Sequence, residues 1–437
     1  MRILHLTLLF LVPIFSLKAE TLEEAWQLAL ANNPKMNAVQ ASTQASEQQL
    51  KATENQQLPT LTVNGGYTQY SDPIVSNTQL SKVNVETNGT SLTIADQNVQ
   101  FKTSPQGMAK AQAIVSMPIF TSGRISHNID AASESLQAEK ANESDAVSTL
   151  KMQVAEAYIT VLRVQNELQI TQSHLDSLTA YARDIKTKYG QGLVTGNDKL
   201  ITEMDESNTK QTLLHINYQL QQAKGRYNQL LSRKLDSEVK LAPLILTQPT
   251  EDGLEKLTET AIGQREELEI LNRKINMLTH QAQSISAEKL PQATLNGGYI
   301  YQQNNYQLHQ GMWMANLDFQ WKLFDTANPH RSDAASAQAL NIKAQRDEMI
   351  GQISLQVQNS WQEISESQQR ITLVQQAVTQ AEENKRMINN QHHEGLSTTA
   401  DVIKAEELLT IAQNNLNNAR YDASLAIIRL QRAIGSL

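Results

Sequence analysis

A seven-residue apolar repeat runs through two long stretches of the chain. In the first stretch the apolar positions alternate spacings of three and four residues from Val147 to Tyr189, and a second series from Ile350 to His392 follows 203 residues later. A period of 3.5 residues predicts helices that supercoil left-handedly with the apolar seam inward. Extended back to about residue 122, the first helix would be roughly 100 Å long at a rise of 1.5 Å per residue.

Four shorter segments alternate apolar and polar side chains with a period of two, which is typical of β-strands with one apolar face. The predicted strands are 61–70, 107–120, 293–302 and 311–324, with Ile114 as an interruption. Their lengths are near the roughly 9–11 residues of a tilted transmembrane strand. Aromatic residues that could form a belt at the membrane surface are Tyr67, Tyr299, Tyr301, Trp313, Phe319 and Trp321. The alternative is a soluble, half-buried hairpin in which these side chains form a core.

The strands belong to an internal duplication, because Leu58–Tyr67 returns as Leu290–Tyr299 after 232 residues. The loop at 71–106 is long and polar, whereas its counterpart at 303–310 is short. The first repeat, 20–235, is predicted to contain helix 21–57, two strands and helices 122–189 and 198–235. A linker at 236–252 precedes the second repeat, 253–437, with helix 254–289, two strands and helices 326–392 and 401–434.

The long helices of both repeats are predicted to turn back on themselves at equivalent points. Gly192 and Gly395 would end one helix, and Asp198 and Asp401 lie at the start of the next, where acidic and hydroxyl residues cap helices. A glycine pattern of the dinucleotide-binding type is not indicated here, because the spacing differs and a helix precedes the glycines.

Composition narrows the class of protein. Residues 1–19 have the features of a secretory signal, with Arg2 before an apolar stretch at 3–15, and this stretch is shorter than the ~20 residues of a membrane anchor. Removal of this segment takes the formal net charge from −8 to −10, which disfavours nucleic-acid binding. The chain has no cysteine, so disulfides and thiolate metal sites are excluded.

Membrane strands would force this chain to oligomerise. Open sheet edges cannot face lipid, because their unpaired N–H and C=O groups find no water there. Four strands are too few for a closed barrel, since single-chain barrels begin at about eight strands. Three copies would supply twelve strands and a ring of twelve helices around a water-filled tunnel, although the argument itself leaves the number of copies open.

In these features the chain resembles the TolC family of outer-membrane channel proteins. The resemblance covers the mature chain and rests on the duplicated helix–strand–strand–helix order, the opening Thr21–Pro34, the two Asn-Gly-Gly-Tyr strands and the two Gly-Leu turns. It implies an α+β membrane protein in which a long antiparallel coiled-coil barrel of helices continues into a transmembrane β-barrel completed by trimerisation. The implied location is the outer membrane of a Gram-negative bacterium, with a large periplasmic portion.

The resemblance also implies partners and a function. The partners would be two further copies, a periplasmic adaptor (membrane fusion) protein, an inner-membrane pump of the ABC, RND or MFS type and outer-membrane lipid, with no nucleic acid. The trimer would give passive exit from the periplasm for drug efflux or type I protein secretion. A different class of function, an exported soluble coiled-coil protein with a structural or adhesive role, would need the strands to pair within one chain.

For particular residues, the resemblance implies a periplasmic constriction at the helix turns. Asp401 matches an aspartate that forms an acidic ring, and Asp198 matches one that helps to hold the gate. Family members often carry Tyr at His392, Arg at Ser397 and a second Asp at Lys404, so an Arg–carboxylate latch is replaced by other contacts here. His392 could add pH sensitivity or could be an ordinary seam residue, and both aspartates could serve only as helix caps.

The sequence shows no catalytic constellation, so we expect no enzymatic activity and no cofactor. His392, His393 and Glu394 are adjacent, but neighbouring side chains on a helix diverge, whereas a metal site needs three or four converging ligands. We therefore expect no metal at this place.

Overall fold

The computed structural model describes residues 19–94, 97–244 and 252–437. Apart from Ala19, the predicted signal peptide lies outside these residues, as do residues 245–251 of the predicted linker. None of the helices in the described part of the chain combines the length and the apolar character that crossing a lipid bilayer would require.

Within these ranges the chain alternates helices and strands in a duplicated order. The helices are α1 Leu22–Asn32, α2 Pro34–Glu54, α3 Arg124–Gly190, α4 Gly196–Leu230, α5 Leu254–Gln264, α6 Glu266–Ala287, α7 Ala327–His393 and α8 Thr399–Ala433. The strands are β1 Thr60–Gln69, β2 Val75–Leu80, β3 Val83–Thr87, β4 Thr90–Ile94, β5 Gln97–Lys102, β6 Gly107–Phe120, β7 Gln292–Gln302 and β8 Gly311–Gln320. The order helix pair, strand, strand, helix, helix occurs twice.

The predicted single helices at 21–57 and 254–289 are each broken once. Asn33 and Arg265, which are equivalent positions in the two repeats, have extended backbones with ψ of 123° and 122°. Pro34 explains the first break, because proline disfavours the helical conformation of the residue before it. The second break has no proline, and it is held by the buried Arg265 guanidinium, which donates a hydrogen bond to Ala433 O at 3.0 Å.

The predicted ends of the long helices need smaller corrections. Helix α4 was predicted to reach residue 235 but ends at Leu230, because Ser232 adopts a φ of +57° and Arg233 N donates to Asn228 O at 2.9 Å. Helices α4 and α8 begin two residues earlier than predicted, at Gly196 and Thr399. The strand predicted to reach residue 324 ends at Gln320, and Asp325 then caps α7 by accepting from Asn328 N at 3.1 Å.

The four long strands form one antiparallel sheet in the order β1–β6–β7–β8. Strands from the two repeats meet at the centre, where Ala113 lies opposite Tyr299 and Val115 opposite Gly297. The outer strands β1 and β8 each have a single neighbour in this sheet. Within the described part of the chain, both edges of the protomer's sheet are therefore open.

The register places the predicted apolar positions on one face. Leu61 pairs with Val115, and Leu295 pairs with both Met117 and Leu317. This face is exposed in the protomer, with Val63 at 71% and Leu317 at 61%. The opposite face is mostly polar: it contains Thr60, Thr62, Asn64, Lys110, Gln112, Ser116, Thr294, Asn296, Asn316 and Asp318. Ile114, which interrupted the sequence pattern, lies on the polar face opposite Gly298.

The segment predicted as a long polar loop at 71–106 contains strands of its own. Strand β2 pairs with β5, and β3 pairs with β4, both antiparallel. Asn88 and Gly89 connect β3 and β4 with φ values of +51° and +80°, as expected of a two-residue hairpin turn. The long polar connection thus contains two short strand pairs that the sequence analysis did not predict.

The described chain divides into two compact units, and each unit takes segments from both repeats. One unit comprises the residues up to Gln44, Gln137–Asn272 and Lys343–Leu437; the other comprises Ala45–Leu136 and Arg273–Ile342. The helical unit contains two matching cores, in which Val154 and Tyr227 of the first repeat correspond to Val357 and Leu430 of the second. The duplication seen in the sequence thus places equivalent residues in equivalent packing.

Candidate functional site

The two turns between long helices have the same backbone construction. Gly192 and Gly395 adopt φ values of +72° and +76°, a left-handed conformation that glycine tolerates best. After each glycine the chain bonds back to the helix: Leu193 N donates to Lys188 O at 2.9 Å, and Leu396 N to Gln391 O at 2.7 Å. This arrangement satisfies carbonyl groups that the helix end leaves without partners. The predicted turn glycines therefore have the predicted conformational role.

The next helix in each case begins with a reciprocal cap. Thr195 Oγ1 accepts from Asp198 N at 3.2 Å, while Asp198 Oδ2 accepts from Thr195 N at 3.1 Å and from the threonine hydroxyl at 2.6 Å. Thr398 and Asp401 repeat this pattern, with 2.8 Å between Thr398 N and Asp401 Oδ2. Such capping boxes satisfy free N–H groups at the first turn. Both aspartates are thus helix caps, whatever further role they have.

The caps also set the charge of the aspartates. The hydrogen bond from the Thr195 hydroxyl lowers the pKa of Asp198, and the Thr398 hydroxyl lowers the pKa of Asp401. Asp401 is fully exposed and uses only one oxygen in its cap. Because its pKa is lowered, the carboxylate carries its charge at neutral pH.

His392 lies between the two helix turns. Its Nε2 is 3.3 Å from the hydroxyl of Tyr181 in α3, and the two rings meet edge to face with centroids 6.0 Å apart. Burial lowers the pKa of His392, and the positive charge of Lys188 lowers it further. The negative charges of Asp184 and Asp198 oppose this lowering of the His392 pKa.

A cavity of about 330 Å³ opens beside this histidine. Helices α3, α7 and α8 contribute its lining: Tyr181, Asp184 and Lys188 from the first repeat, and His392, Val402 and Glu406 from the second. Lys385 Nζ spans α7 and α8 with 2.7 Å to Glu406 Oε1. The packing between the two helical hairpins is therefore loose and charged at this point.

Lys404 and Ser397 are two of the three positions at which the resemblance to the TolC family implies a departure from the family pattern. Lys404 Nζ is 2.6 Å from Glu407 Oε2 on its own helix. The Ser397 hydroxyl donates to Ile388 O at 3.1 Å and so ties the turn to the preceding helix. These contacts are local to the second repeat, in contrast to the Tyr181–His392 contact, which joins the repeats.

Farther along the helices, charged residues bridge the bundle. Asp422 Oδ1 accepts from Arg163 at 2.5 Å, and its Oδ2 accepts from Arg370 at 3.0 Å. Asp422 in α8 therefore holds α3 and α7 together. The sequence analysis missed this contact and that of Tyr181, because the partners come from helices that are distant along the chain.

The aromatic residues predicted to lie at a membrane surface fall at the two ends of the sheet. Tyr67, Tyr299, Tyr301 and Trp313 lie toward the strand-to-strand loops, and Phe319 and Trp321 lie toward α7. Trp313 is 81% exposed and Phe319 is 65% exposed. Tyr299 and Trp313 pack edge to face with ring centroids 5.3 Å apart. This distribution is typical of aromatic girdles at the two surfaces of a membrane.

The groups of close metal-ligating side chains found among the described residues do not include His392, His393 or Glu394. One group consists of Asp145, Glu266 and Glu267. Although burial alone raises the pKa of Glu267, hydrogen bonds from Arg265 lower it to about 2. This group is therefore an ion-pair network with buried arginines. The other group, His127, Asp130 and His280, lies outside the turns.

Comparison with known proteins shows the family to which this chain belongs. The model of a family described as outer membrane efflux protein matches residues 25–232 and 257–436. The chain belongs to the outer membrane efflux protein family. The gap between the two matched stretches coincides with the linker region between the repeats.

Individual relatives of this outer membrane efflux protein are distant in sequence. It is 22% identical to the outer membrane protein TolC of Vibrio cholerae over 438 residues, which cover 96% of this chain and 91% of the relative. Among solved structures, CusC superposes with a TM-score of 0.78 at 15% identity, covering 95% of this chain and 92% of CusC. VceC from Vibrio cholerae superposes with a TM-score of 0.75 at 18% identity, covering 95% and 96%.

These findings confirm the resemblance to the TolC family and the predicted fold class of long antiparallel helices continuous with strands. They also confirm the predicted location of this efflux protein, the outer membrane of a Gram-negative bacterium with a large periplasmic helical portion. The family consists of channels and is not an enzyme family. The comparisons leave the roles of the individual turn residues untested, and these roles stay predictions.

Proposed function

We propose that three copies of this chain join their sheets into a twelve-stranded barrel. The trimer forms a passive exit from the periplasm for substrates that an inner-membrane pump and a periplasmic adaptor deliver. The duct serves either drug efflux or type I protein secretion. The observation that carries this proposal is the four-stranded sheet with two open edges and one continuous apolar face.

The open edges are the strongest argument for assembly. In hydrocarbon each unsatisfied backbone N–H or C=O group costs several kcal/mol, and an edge strand of about ten residues carries several such groups. Pairing β1 of one protomer with β8 of the next removes both edges at once. Four strands per copy require several copies, and three copies give twelve strands, within the range of known barrels.

The turn tips offer the surface for an adaptor. Leu193 and Leu396 follow the turn glycines and are 69% and 73% exposed. Their equivalent positions give a trimer six apolar tips in a ring. An adaptor with a matching ring of apolar side chains would bury these leucines, each worth about 1.5–3 kcal/mol if fully covered.

A disulfide scan tests the barrel. Because the chain has no cysteine, Val63→Cys in β1 can be combined with cysteines placed singly at positions 312–319 of β8. We expect disulfides between chains, with yields that alternate along β8 and a ladder of products that ends at the trimer. The control replaces Val63→Cys by Gln112→Cys, which lies in β6 between two neighbours of its own chain.

Two outcomes would overturn the barrel. One is disulfide formation only within single chains, and the other is a ladder that ends at the dimer. A duct must also conduct ions when it is reconstituted into planar bilayers. Efficient extraction without detergent, together with absence of conductance, would instead support the soluble coiled-coil class.

The adaptor is tested with a photo-crosslinking amino acid at Leu193 or Leu396 in cells. Crosslinks to an adaptor protein, identified by mass spectrometry, would support the docking of an adaptor at the tips. Leu308 is 96% exposed in the loop between β7 and β8 and provides the control, because a periplasmic adaptor does not reach the other end of the strands. Equal adaptor yields from both positions would contradict the proposal.

A further inference from the structure

Two histidines and an aspartate from distant parts of the sequence meet near the start of α3. His127 and Asp130 lie three residues apart on α3 and therefore share one face of the helix. His280 approaches from α6. The Nδ1 atoms of both histidines are 3.9 Å from Asp130 Oδ2, and the three ligand atoms lie within 4.8 Å of one another.

The two imidazole nitrogens that face the aspartate are shielded from solvent but make no hydrogen bond. Nδ1 of His127 and Nδ1 of His280 are buried and lack a hydrogen-bond partner. The rings are stacked, with centroids 6.2 Å apart and an angle of 25° between their planes. Buried polar atoms normally have partners, and an unmade bond costs about 1–3 kcal/mol. Two such atoms aimed at one carboxylate indicate a missing common partner.

Contacts on both sides hold the two helices at this separation. Toward the strands, the Ser284 hydroxyl donates to Arg124 O at 3.0 Å. Away from the strands, Arg273 Nη1 is 3.2 Å from Glu134 Oε2. The three ligands thus occupy the middle of a row of side-chain contacts between α3 and α6, and the helices position them in advance.

We propose that His127, Asp130 and His280 bind a divalent transition-metal ion such as Zn²⁺. Imidazole nitrogen and carboxylate oxygen suit zinc, copper and nickel, whereas calcium and magnesium prefer oxygen alone. Zinc binds these atoms at about 2.0–2.2 Å, so tetrahedral ligands lie roughly 3.4 Å apart. The observed 3.9 Å separations therefore need to contract by about half an ångström. Asp130 is half-exposed and can turn inward, and water completes the fourth position.

The ion clamps the beginning of α3 to α6. Helix α3 starts four residues after β6 ends at Phe120, so the clamp braces the helix that leaves the sheet. Binding of the ion gives both histidine Nδ1 atoms a partner and neutralises the negative charge of the carboxylate between them. It does not depend on the proposed transport function, because all three ligands belong to one protomer.

The internal duplication supplies a natural control. The sequence His127-x-x-Asp130-Ala-Ala-Ser recurs as His330-x-x-Asp333-Ala-Ala-Ser, 203 residues later. The position 232 residues before His280 is Gln48. The second-repeat pair is thus matched by sequence, whereas the histidine of α6 has no counterpart in α2.

The test is a zinc titration of the full-length protein in detergent after treatment with a chelator. A chromogenic competitor reports one tight site per chain in the parent. His280→Gln, which copies Gln48, should weaken binding by about tenfold or more, since loss of contacts around a metal costs at least that much. His330→Gln should leave the tight site unchanged.

Measurement of the melting temperature distinguishes a loss of zinc binding from a loss of folding. We expect Zn²⁺ to raise the melting temperature of the parent and of His330→Gln, but not that of His280→Gln. The variants must retain the parent's oligomeric state on native gels, and X-ray absorption of the zinc-loaded parent should show two imidazole ligands. Absence of a tight site in the parent, or equal affinity in the parent and His280→Gln, would overturn the proposal.

Discussion

The glycine pair of β7 allows a sharp test of how tightly the sheet is built. At Gly298, an added Cβ would lie 2.1 Å from Ala113 O and 2.8 Å from Ile114 Cα, both backbone atoms of β6. At Gly297, the nearest atom would be Met314 O at 3.8 Å, an ordinary contact. Gly298→Ala should therefore push β6 and β7 apart, and Gly297→Ala should be tolerated.

The size of the effect follows from the overlap. Contacts below 3.4 Å are already tight, so the strands must separate by about 1 Å, which lengthens N–H···O bonds of about 2.9 Å beyond the usual limit. Losing two ladder bonds at about 1 kcal/mol each gives ~2 kcal/mol per chain, and more if the groups face hydrocarbon. At an unfolding entropy of about 2.1 cal/mol/K per residue, a loss of that size corresponds to a fall in melting temperature of roughly 2 °C for a chain of 437 residues.

The assay is the temperature at which the detergent-solubilised oligomer dissociates on a semi-native gel. Gly297→Ala is the matched control, since it adds the same methyl group to the same strand. We expect Gly298→Ala to dissociate at a clearly lower temperature and to reach the outer membrane in smaller amounts. Equal dissociation temperatures for both variants would refute the close approach of β6 and β7.

Three further predictions concern charged groups. Asp401→Asn should reduce cation selectivity and block by multivalent cations, and unchanged single-channel recordings would remove Asp401 from the constriction. Burial lowers the pKa of His392 from 6.5, so the packing around the neutral ring is stable above that value and weakens as pH falls below it. The parent channel should open more readily as pH falls below 6.5, and His392→Gln should lose this response; equal responses of the two proteins would contradict the idea. Because the pKa of Glu267 is lowered to about 2 from 4.5, its ionised carboxylate stabilises the fold above pH 4.5. This contribution is lost as pH falls toward 2. Glu267→Gln should cost about 3 kcal/mol at pH 7, seen as a lower melting temperature, and a gap that persists at pH 2 would be the contrary result.

Local patterns in the sequence were sufficient to predict most helices and strands. The alternating positions of the four long strands and the caps at Asp198 and Asp401 depend on neighbours a few residues away, so the sequence contains the whole signal. The hairpin of β3 and β4 was missed although Asn88-Gly89 is a strong turn signal. Val83 and Val85 alternate with Asn84 and Glu86 as in the long strands, but the polar composition of the whole segment 71–106 concealed this short pattern.

Contacts between distant segments could not be predicted in the same way. The break at Asn33 follows from Pro34, but the break at Arg265 depends on a hydrogen bond to the end of α8. Tyr181 and His392 are 211 residues apart, and nothing in the local pattern of either helix indicates their contact. The sequence thus gives the turns of the candidate gate, whereas only the fold shows which side chains of the two repeats meet there.

The duplication separates the requirements of the scaffold from those of particular sites. Val154 and Val357 are equivalent and fill equivalent cores, as expected where both repeats meet the same packing demand. His280 and Gln48 are equivalent in sequence, yet only His280 faces a second histidine with an unpartnered nitrogen. A residue that packing required would appear in both repeats. The presence of this histidine in one repeat therefore favours a role specific to its position. His392 likewise differs from its counterpart Tyr189: His392 lines the cavity with residues of both repeats, whereas the Tyr189 ring lies 5.4 Å from Lys199 Nζ of its own repeat.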